Sequence, residues 1–364
     1  MEKLNTDKEN QHYIPKFYLR YFSYENNNKQ VGVYNQRNKQ FIPTAKLKTQ
    51  ASKKYFYGKD GELEEWLSTI ESIVSPILLK IISNQELPTL MTTTHCDLLF
   101  FIILLDLRNP VRLNHWIKGR ELFKERLISK NPDNINSSII KTIDEMNNQD
   151  YNTIGLLISN TKGIVHYCMD LEIKVLKNMT ETPFISSDYP LIKYNQFLEK
   201  RKWNYAGHNG YGTVGLQLFM PINDKYMLII YDSNIYKVGD KKEKFVEITD
   251  IDTINQFNLL QCLNCFENLF FNQKVSNFYI EKLNEKAMKF KKANEALLKF
   301  YEVKDKDGNL NPYEEILTIE STDLKVNLNL QKIKFSSKAA GIKLDNCAVQ
   351  FRSKAEEIYR YEKN

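Results

Sequence analysis

The chain has 364 residues, enough for one large domain or two ordinary ones. Hydrophobic residues make up 42% and aromatics 12%, which supports a sizeable core and excludes wholesale disorder. The net charge of +6, from 51 basic and 45 acidic residues, permits a nucleic-acid partner but does not require one, because dedicated binders gather basic charge on one face.

Along the chain, residues 1–11 are polar. Ile14–Phe22, with Pro15 near its first turn, suits a short helix. Candidate strands follow at Val31–Tyr34, Gln40–Thr44 and Lys54–Tyr57, the first two separated by an Asn-rich break. Over Glu62–Ser83 the apolar residues fall at helical spacings, from Leu63, Trp66 and Leu67 to Ile77, Leu78 and Ile81, which predicts an amphipathic helix bent at Pro76. Thr92–Thr94 can cap a longer central helix that runs from about His95 to Leu107 and continues after Pro110 to about Ser129. Its apolar run, Leu98–Leu105, is too continuous for a surface helix and predicts a buried middle.

Shorter helices are expected at Ser137–Asn147 and Tyr151–Asn160. From about Val165 the pattern turns to strands, at Leu171–Leu176, Phe184–Ser186, Gln217–Pro221 and Tyr226–Tyr231. Asn223-Asp224 makes a hairpin of the last two. Helices are expected again from Thr249-Asp250 to about Phe266 and over Val275–Phe300, then strands at Ile316–Glu320 and Leu324–Lys334. The fold class is therefore α+β: a mixed or antiparallel sheet, several long helices and a central buried helix near residues 95–128. Residues 11–300 read as the main domain and 301–364 as a C-terminal extension that could form a small module.

The cysteines, Cys96, Cys168, Cys262, Cys265 and Cys347, are scattered and odd in number, which fits reduced thiols in a cytoplasm better than a secreted disulfide framework. The N-terminus lacks the apolar stretch of a signal peptide, and the longest apolar run is eight residues against the roughly 20 that span a bilayer, so no membrane association is expected.

Few motifs carry chemistry on their own. Gly207, Gly210, Gly212 and Gly215 match neither a phosphate loop nor a dinucleotide fingerprint and read as a flexible turn, a candidate cover over a site. Cys262-Leu-Asn-Cys265 has no second ligand pair nearby, so no zinc is expected and the two thiols read as buried structural groups. Protease-type, deaminase-type and nucleophile-elbow patterns are absent from the sequence.

Four polar clusters remain. His12 and Arg20 join an imidazole and a guanidinium across one short element. Glu62, Glu64, Glu65 and Glu71 lie in the first turns of a helix, where acids also suit the helix dipole. Arg108-Asn-Pro-Val-Arg112 follows the buried apolar run, so its arginines need carboxylate partners. Ser186-Ser187-Asp188-Tyr-Pro190 ends a strand with an acid, placed equally well for catalysis, metal binding or an Asx-turn.

These clusters, in this order, resemble the bacterial family catalogued as domain of unknown function 4238. Its pattern opens with H-x-x-P-x-x-Y/F-L, matched here by His12, Pro15 and Leu19, and later has F-I-T/S-S-D-x-P, matched by the segment ending in Asp188-Tyr189-Pro190. The resemblance covers roughly residues 11–275. It implies no chemistry but puts His12, Arg20, Arg108 and Asp188 on motif positions.

Two readings of function stay open. One is a metal-dependent phosphoester hydrolase, a nuclease or nucleotide hydrolase of bacterial defence or toxin type. Asp188 with Glu65 or Glu71 would hold Mg²⁺ or Mn²⁺, His12 would move a proton, and Arg20 and Arg108 would neutralise phosphate. The other is a non-catalytic ligand-binding or sensor protein in which the same residues form a structural ion-pair network. Both lead to the expectation that at least two of His12, Arg108 and Asp188 meet each other or a shared Glu.

Overall fold

The structure, a computed structural model, describes residues 9–133, 137–147, 150–203, 207–290, 297–304, 309–320, 325–344 and 350–363. Residues 1–8, the 291–296 stretch of the helix expected over 275–300, Leu324 and Cys347 lie outside the described residues. In chain order the elements are β1 (Asn10–His12), α1 (Lys16–Arg20), β2 (Gln30–Asn35), β3 (Gln40–Lys46), β4 (Ser52–Lys54), α2 (Glu62–Asn84), α3 (Thr93–Leu107), α4 (Pro110–Lys130), α5 (Ser138–Asn147), α6 (Asp150–Ser159) and α7 (Thr161–Cys168). There follow β5 (Glu172–Asn178), β6 (Ser186–Ser187), β7 (Ile192–Tyr194), α8 (Gln196–Lys200), β8 (Gln217–Pro221), β9 (Tyr226–Tyr231), β10 (Tyr236–Val238), β11 (Phe245–Ile248), α9 (Ile251–Asn264), β12 (Asn268–Phe271) and α10 (Asn277–Ala287). The chain ends with β13 (Leu297–Lys304), β14 (Leu310–Glu320), β15 (Ile333–Phe335) and α11 (Ser353–Lys363).

Two sheets organise this α+β fold. One has the order β11-β5-β9-β8-β7, parallel between β11 and β5 and antiparallel elsewhere; the other, β3-β2-β12-β6, is antiparallel throughout. The period-2 geometry of a strand divides the five-stranded sheet between two cores. Phe219, Met227 and Ile229 pack with Ile254, Phe257 and Leu260 of α9 on one face. Leu218, Met220, Leu228 and Ile230 pack with Leu98, Phe101, Ile102 and Leu105 of α3 on the other. A sheet covered on both faces needs apolar residues at successive positions, which is why β8 and β9 carry runs rather than an alternation. Each such buried side chain contributes roughly 1.5–3 kcal/mol.

The central helix is buried as expected, but only in its first half. Thr92 caps α3 by accepting from the His95 amide at 3.3 Å, and all of Leu98–Leu105 except Phe100 is buried. At Arg108 the helix stops, Asn109 caps a new one by accepting from the Val111 amide at 3.0 Å, and Pro110 sits at its first turn. Helix α2 runs unbroken through Pro76 and turns Leu67, Val74, Ile77, Leu78 and Ile81 into the core. It is also long and apolar enough to cross a membrane by length and composition.

Other boundaries moved for identifiable reasons. The strand expected over Lys54–Tyr57 forms earlier, as β4, and ends at Lys54 because Tyr55 has φ 48°, a left-handed turn conformation. Where strands were expected from Val165, α7 forms first, burying Thr161, Val165 and Cys168 at helical spacing. Helix α10 stops at Ala287, where its apolar seam of Ile280, Leu283 and Ala287 ends, and Leu297–Lys304, rich in aromatic and aliphatic residues, pairs as a strand with β14. Of the C-terminal residues, β15 pairs with β10, the Val326 amide donates to Tyr194 Oη at 2.9 Å, and α11 lies against α7.

Candidate functional site

The stop-start between α3 and α4 lies directly against the Ser187–Pro190 turn, and a polar stripe on α9 fixes that turn. Asn258, Gln261 and Asn264, three residues apart on α9, bond the backbone of the turn and its lead-in. Asn258 accepts from the Ile185 amide at 3.0 Å and donates to Pro183 O at 2.9 Å. Gln261 accepts from Ser187 Oγ and donates to Pro190 O, both at 2.8 Å. Asn264 donates to the carbonyls of Tyr189 and Leu191, at 2.6 and 3.0 Å. From the α3–α4 side, Asn109 Nδ2 donates to Asp188 O at 2.7 Å. The opening motif joins through Tyr18, whose hydroxyl donates to Pro221 O at 2.6 Å and lies 2.9 Å from Ser186 Oγ.

Asp188 is spent on the backbone. Its fully buried carboxylate accepts from the amides of Phe266, Glu267 and Asn268 at 2.7, 2.8 and 2.9 Å, with Cys265 Sγ at 3.6 Å, so it ties the α9–β12 turn to the motif. Burial pushes its pKa up to about 6 against the pull of those amides. Cys262 and Cys265 are both buried without a disulfide.

Arg108 is fully buried and pairs with Glu71 at 3.0 Å, while its Nε and Nη2 meet no partner. His12, half-buried, donates from Nε2 to Lys48 O at 3.0 Å, and burial, with Lys16 and more weakly Arg108, lowers its pKa to about 4. His12 and Arg108 are thus neighbours in field but not bonded, and only Arg108 meets a Glu. The expected convergence through a shared carboxylate does not form. Arg20 is exposed at the end of α1, and Glu65 is exposed in the first turn of α2. Glu65, Glu71 and Asp188 do not make one ligand set, and among the described residues no three His, Cys, Asp or Glu side chains are placed to hold a metal.

The densest constellation was not among the expected site residues. Asp106, in the last turn of α3, is fully buried and accepts from four groups: Tyr189 Oη, Tyr211 Oη at 2.6 Å, Lys193 Nζ at 2.9 Å and Arg112 Nη2 at 3.2 Å. An acid at a helix C-terminus opposes the helix dipole, so these partners are what make the position tenable. Burial alone would raise Asp106, but Arg112 and Lys193 beside it, with both tyrosines, hold it well below the usual carboxylate range. Burial lowers Lys193 to about 8, Arg112 adding to the shift and Asp106 opposing it. His115, one turn after Arg112, falls to about 4 through burial and that guanidinium. Both tyrosines are pushed well up and stay neutral.

Two members of the cluster reach solvent in part: the side chains of Lys193 and Arg112 are 10% and 20% exposed, while Asp106 is sealed. Arg112 Nε and His115 Nδ1 are buried there without partners. One negative charge therefore faces two positive ones, beside nitrogens with unused hydrogen-bonding capacity. A signal for this site does exist in the sequence: Asp106 directly follows eight apolar residues, and a carboxylate that deep must be paired. A cleft of about 470 Å³ lies apart from the motifs, among Ile70, Val74, Phe100, Val165 and Met169.

A family model described as "Protein of unknown function (DUF4238)" matches residues 10–275, well over half of the chain. No curated protein and no solved structure matches it.

Proposed function

Since the chain belongs to the DUF4238 family, a membership that brings no activity with it, we propose from its geometry a ligand-binding or sensor protein for a small oxyanion-bearing molecule, a phosphate ester or nucleotide. The observation that carries this reading is the largely buried excess of positive charge at Arg112 and Lys193, whose side chains keep 20% and 10% of their surface exposed. A desolvated cation without a counter-charge is costly, and an entering oxyanion would remove that cost. Arg112 offers a planar fork and Lys193 a point charge, two donor types suited to phosphate oxygens. Asp106, Tyr189 and Tyr211 hold the cations in place and leave the anion to meet them from outside.

A second reading, turnover of a phosphate ester, draws on Lys193, which at about 8 has an uncharged fraction able to take a proton near neutral pH. The test is a thermal-shift panel of inorganic phosphate, sulfate and nucleoside mono-, di- and triphosphates, with Mg²⁺, Mn²⁺ or EDTA, with product analysis on every sample. Stabilisation by phosphate-bearing compounds without product supports the binding reading. Product that needs the metal supports hydrolysis, and an unmoved melting temperature throughout removes both.

A further inference from the structure

Tyr211 enters the Asp106 cluster from the Gly207–Gly215 loop, and that loop is held by the far end of the chain. Residues 350–352 lie along it: the Val214 amide donates to Gln350 O at 2.7 Å, the Arg352 amide donates to Gly212 O at 2.9 Å, and Thr213 bridges antiparallel to Phe351. The Arg352 side chain, 4% exposed, then fills its fork. Nη1 donates to the carbonyls of Tyr211 and Thr213 at 3.0 and 2.9 Å. Nε and Nη2 take the Asp170 carboxylate at 2.9 and 3.0 Å, and Nη2 also donates to Tyr167 O. One guanidinium thereby ties the loop to the end of α7. Gly212 has no side chain where the strap crosses: a Cβ there would come within 2.8 Å of the Phe351 ring and 3.2 Å of Ala355.

We propose that residues 350–352 are a strap, that Arg352 is the positioning residue which sets Tyr211 against Asp106, and that the anion site is competent only while the strap is fastened. The inference rests on the binding reading above for its ligand, though not for the strap itself. Because these residues lie beyond the 10–275 match, the strap is a way in which a segment outside the family core controls a site inside it. A bound partner or a modification that lifted α11 would release Tyr211. The Asp106 carboxylate would then lose one of its two hydroxyl donors and hold Lys193 and Arg112 less rigidly.

The experiment uses the full-length chain carrying Arg352→Lys, Arg352→Met, Gly212→Val, Tyr211→Phe or Arg352→Met with Tyr211→Phe, read by amide hydrogen exchange and by titration with inorganic phosphate. Arg352→Lys keeps the charge on Asp170 but cannot also reach the loop carbonyls. The Val214 amide is expected to exchange at least tenfold faster in Arg352→Lys and Gly212→Val, while amides of β8 and β9 keep their protection. Phosphate affinity is expected to fall about tenfold in Arg352→Met and in Tyr211→Phe, and no further in the double variant. An unchanged Val214 exchange rate, or an affinity loss that adds fully in the double variant, overturns the strap. Should Arg352→Met fail to fold, Arg352→Lys takes its place in the cycle. If wild type binds no phosphate, the binding reading fails, and the exchange rates still decide whether the strap exists.

Discussion

Replacing Asp106 with Asn is the most informative single perturbation, because it keeps the shape of the side chain while removing its charge and one of its two accepting oxygens. Lys193 at 2.9 Å and Arg112 at 3.2 Å would then share no counter-ion, and an amide NH₂ would face groups that can only donate or are already donating. Removing one partner of a buried pair costs about 3–5 kcal/mol, a large fraction of the roughly 5–15 kcal/mol that holds a typical domain together. The equivalent drop in melting temperature is about 4–7 °C for a chain of 364 residues. Urea unfolding of both proteins at pH 7, followed by circular dichroism, measures the difference. Its pH dependence gives a further check. The native pKa of Asp106 lies below its unfolded value of about 3.9, so its contribution is present above pH 4 and is lost as pH falls through the native pKa. The gap between wild type and variant should therefore narrow below about pH 4. Adding Lys193→Met to Asp106→Asn should cost less than the sum of the two single changes, by roughly 0.5–3 kcal/mol. A loss under about 1 kcal/mol at pH 7, or strict additivity, would show that Asp106 does not carry the cluster.

Three other expectations follow from the same geometry. Phosphate-ester affinity should be flat from pH 7 to about 8 and then fall as Lys193, surrounded by Asp106, Arg112, His115, Tyr189, Tyr211 and Cys168, gives up its proton. Lys193→Arg should flatten that profile, and an unchanged slope would mean another group titrates. Asp188→Asn should cost about 2–4 kcal/mol, because one of the two oxygens that accept from the amides of residues 266–268 becomes an NH₂ facing those donors, while the folded protein keeps its phosphate affinity; an affinity loss without destabilisation would return Asp188 to the site. Arg108→Met with Glu71→Gln should be within about 1 kcal/mol of wild type, since the pair leaves two guanidinium nitrogens unpartnered, and a loss of several kcal/mol in urea would show that an unseen partner satisfies them.

What could be read from the sequence was what local spacing controls. The β8–β9 hairpin came through to the residue, because two apolar runs flank a turn at Asn223-Asp224, and so did the start of α2; the cap of α3 fell within the expected Thr92–Thr94, at Thr92. Helix α7 did not, since Gly163 and its short length weaken a pattern that only packing against α3 completes. The motif residues were recognisable as polar groups beside apolar elements, but their roles depend on partners that local spacing does not reveal. Asp188 faces three amides contributed by residues 266–268, nearly eighty positions away. Arg112 does lie in a motif that drew attention, yet its carboxylate sits in the preceding apolar run, where a buried Asp106 is easily taken for the last residue of a core helix. Lys193 and Tyr211 carry no local signal at all: they join the cluster only because β7 and the glycine loop pass over the end of α3.

The central claim, that Arg112 and Lys193 hold an oxyanion, is tested most directly by calorimetric titration of the full-length protein with inorganic phosphate and with a nucleoside monophosphate. Wild type is compared with Lys193→Met and Arg112→Met, each first shown to be folded. The expected result is one site per chain, weakened tenfold or more in both variants. Heats that are absent in wild type, or affinity that survives unchanged in both variants, would contradict it.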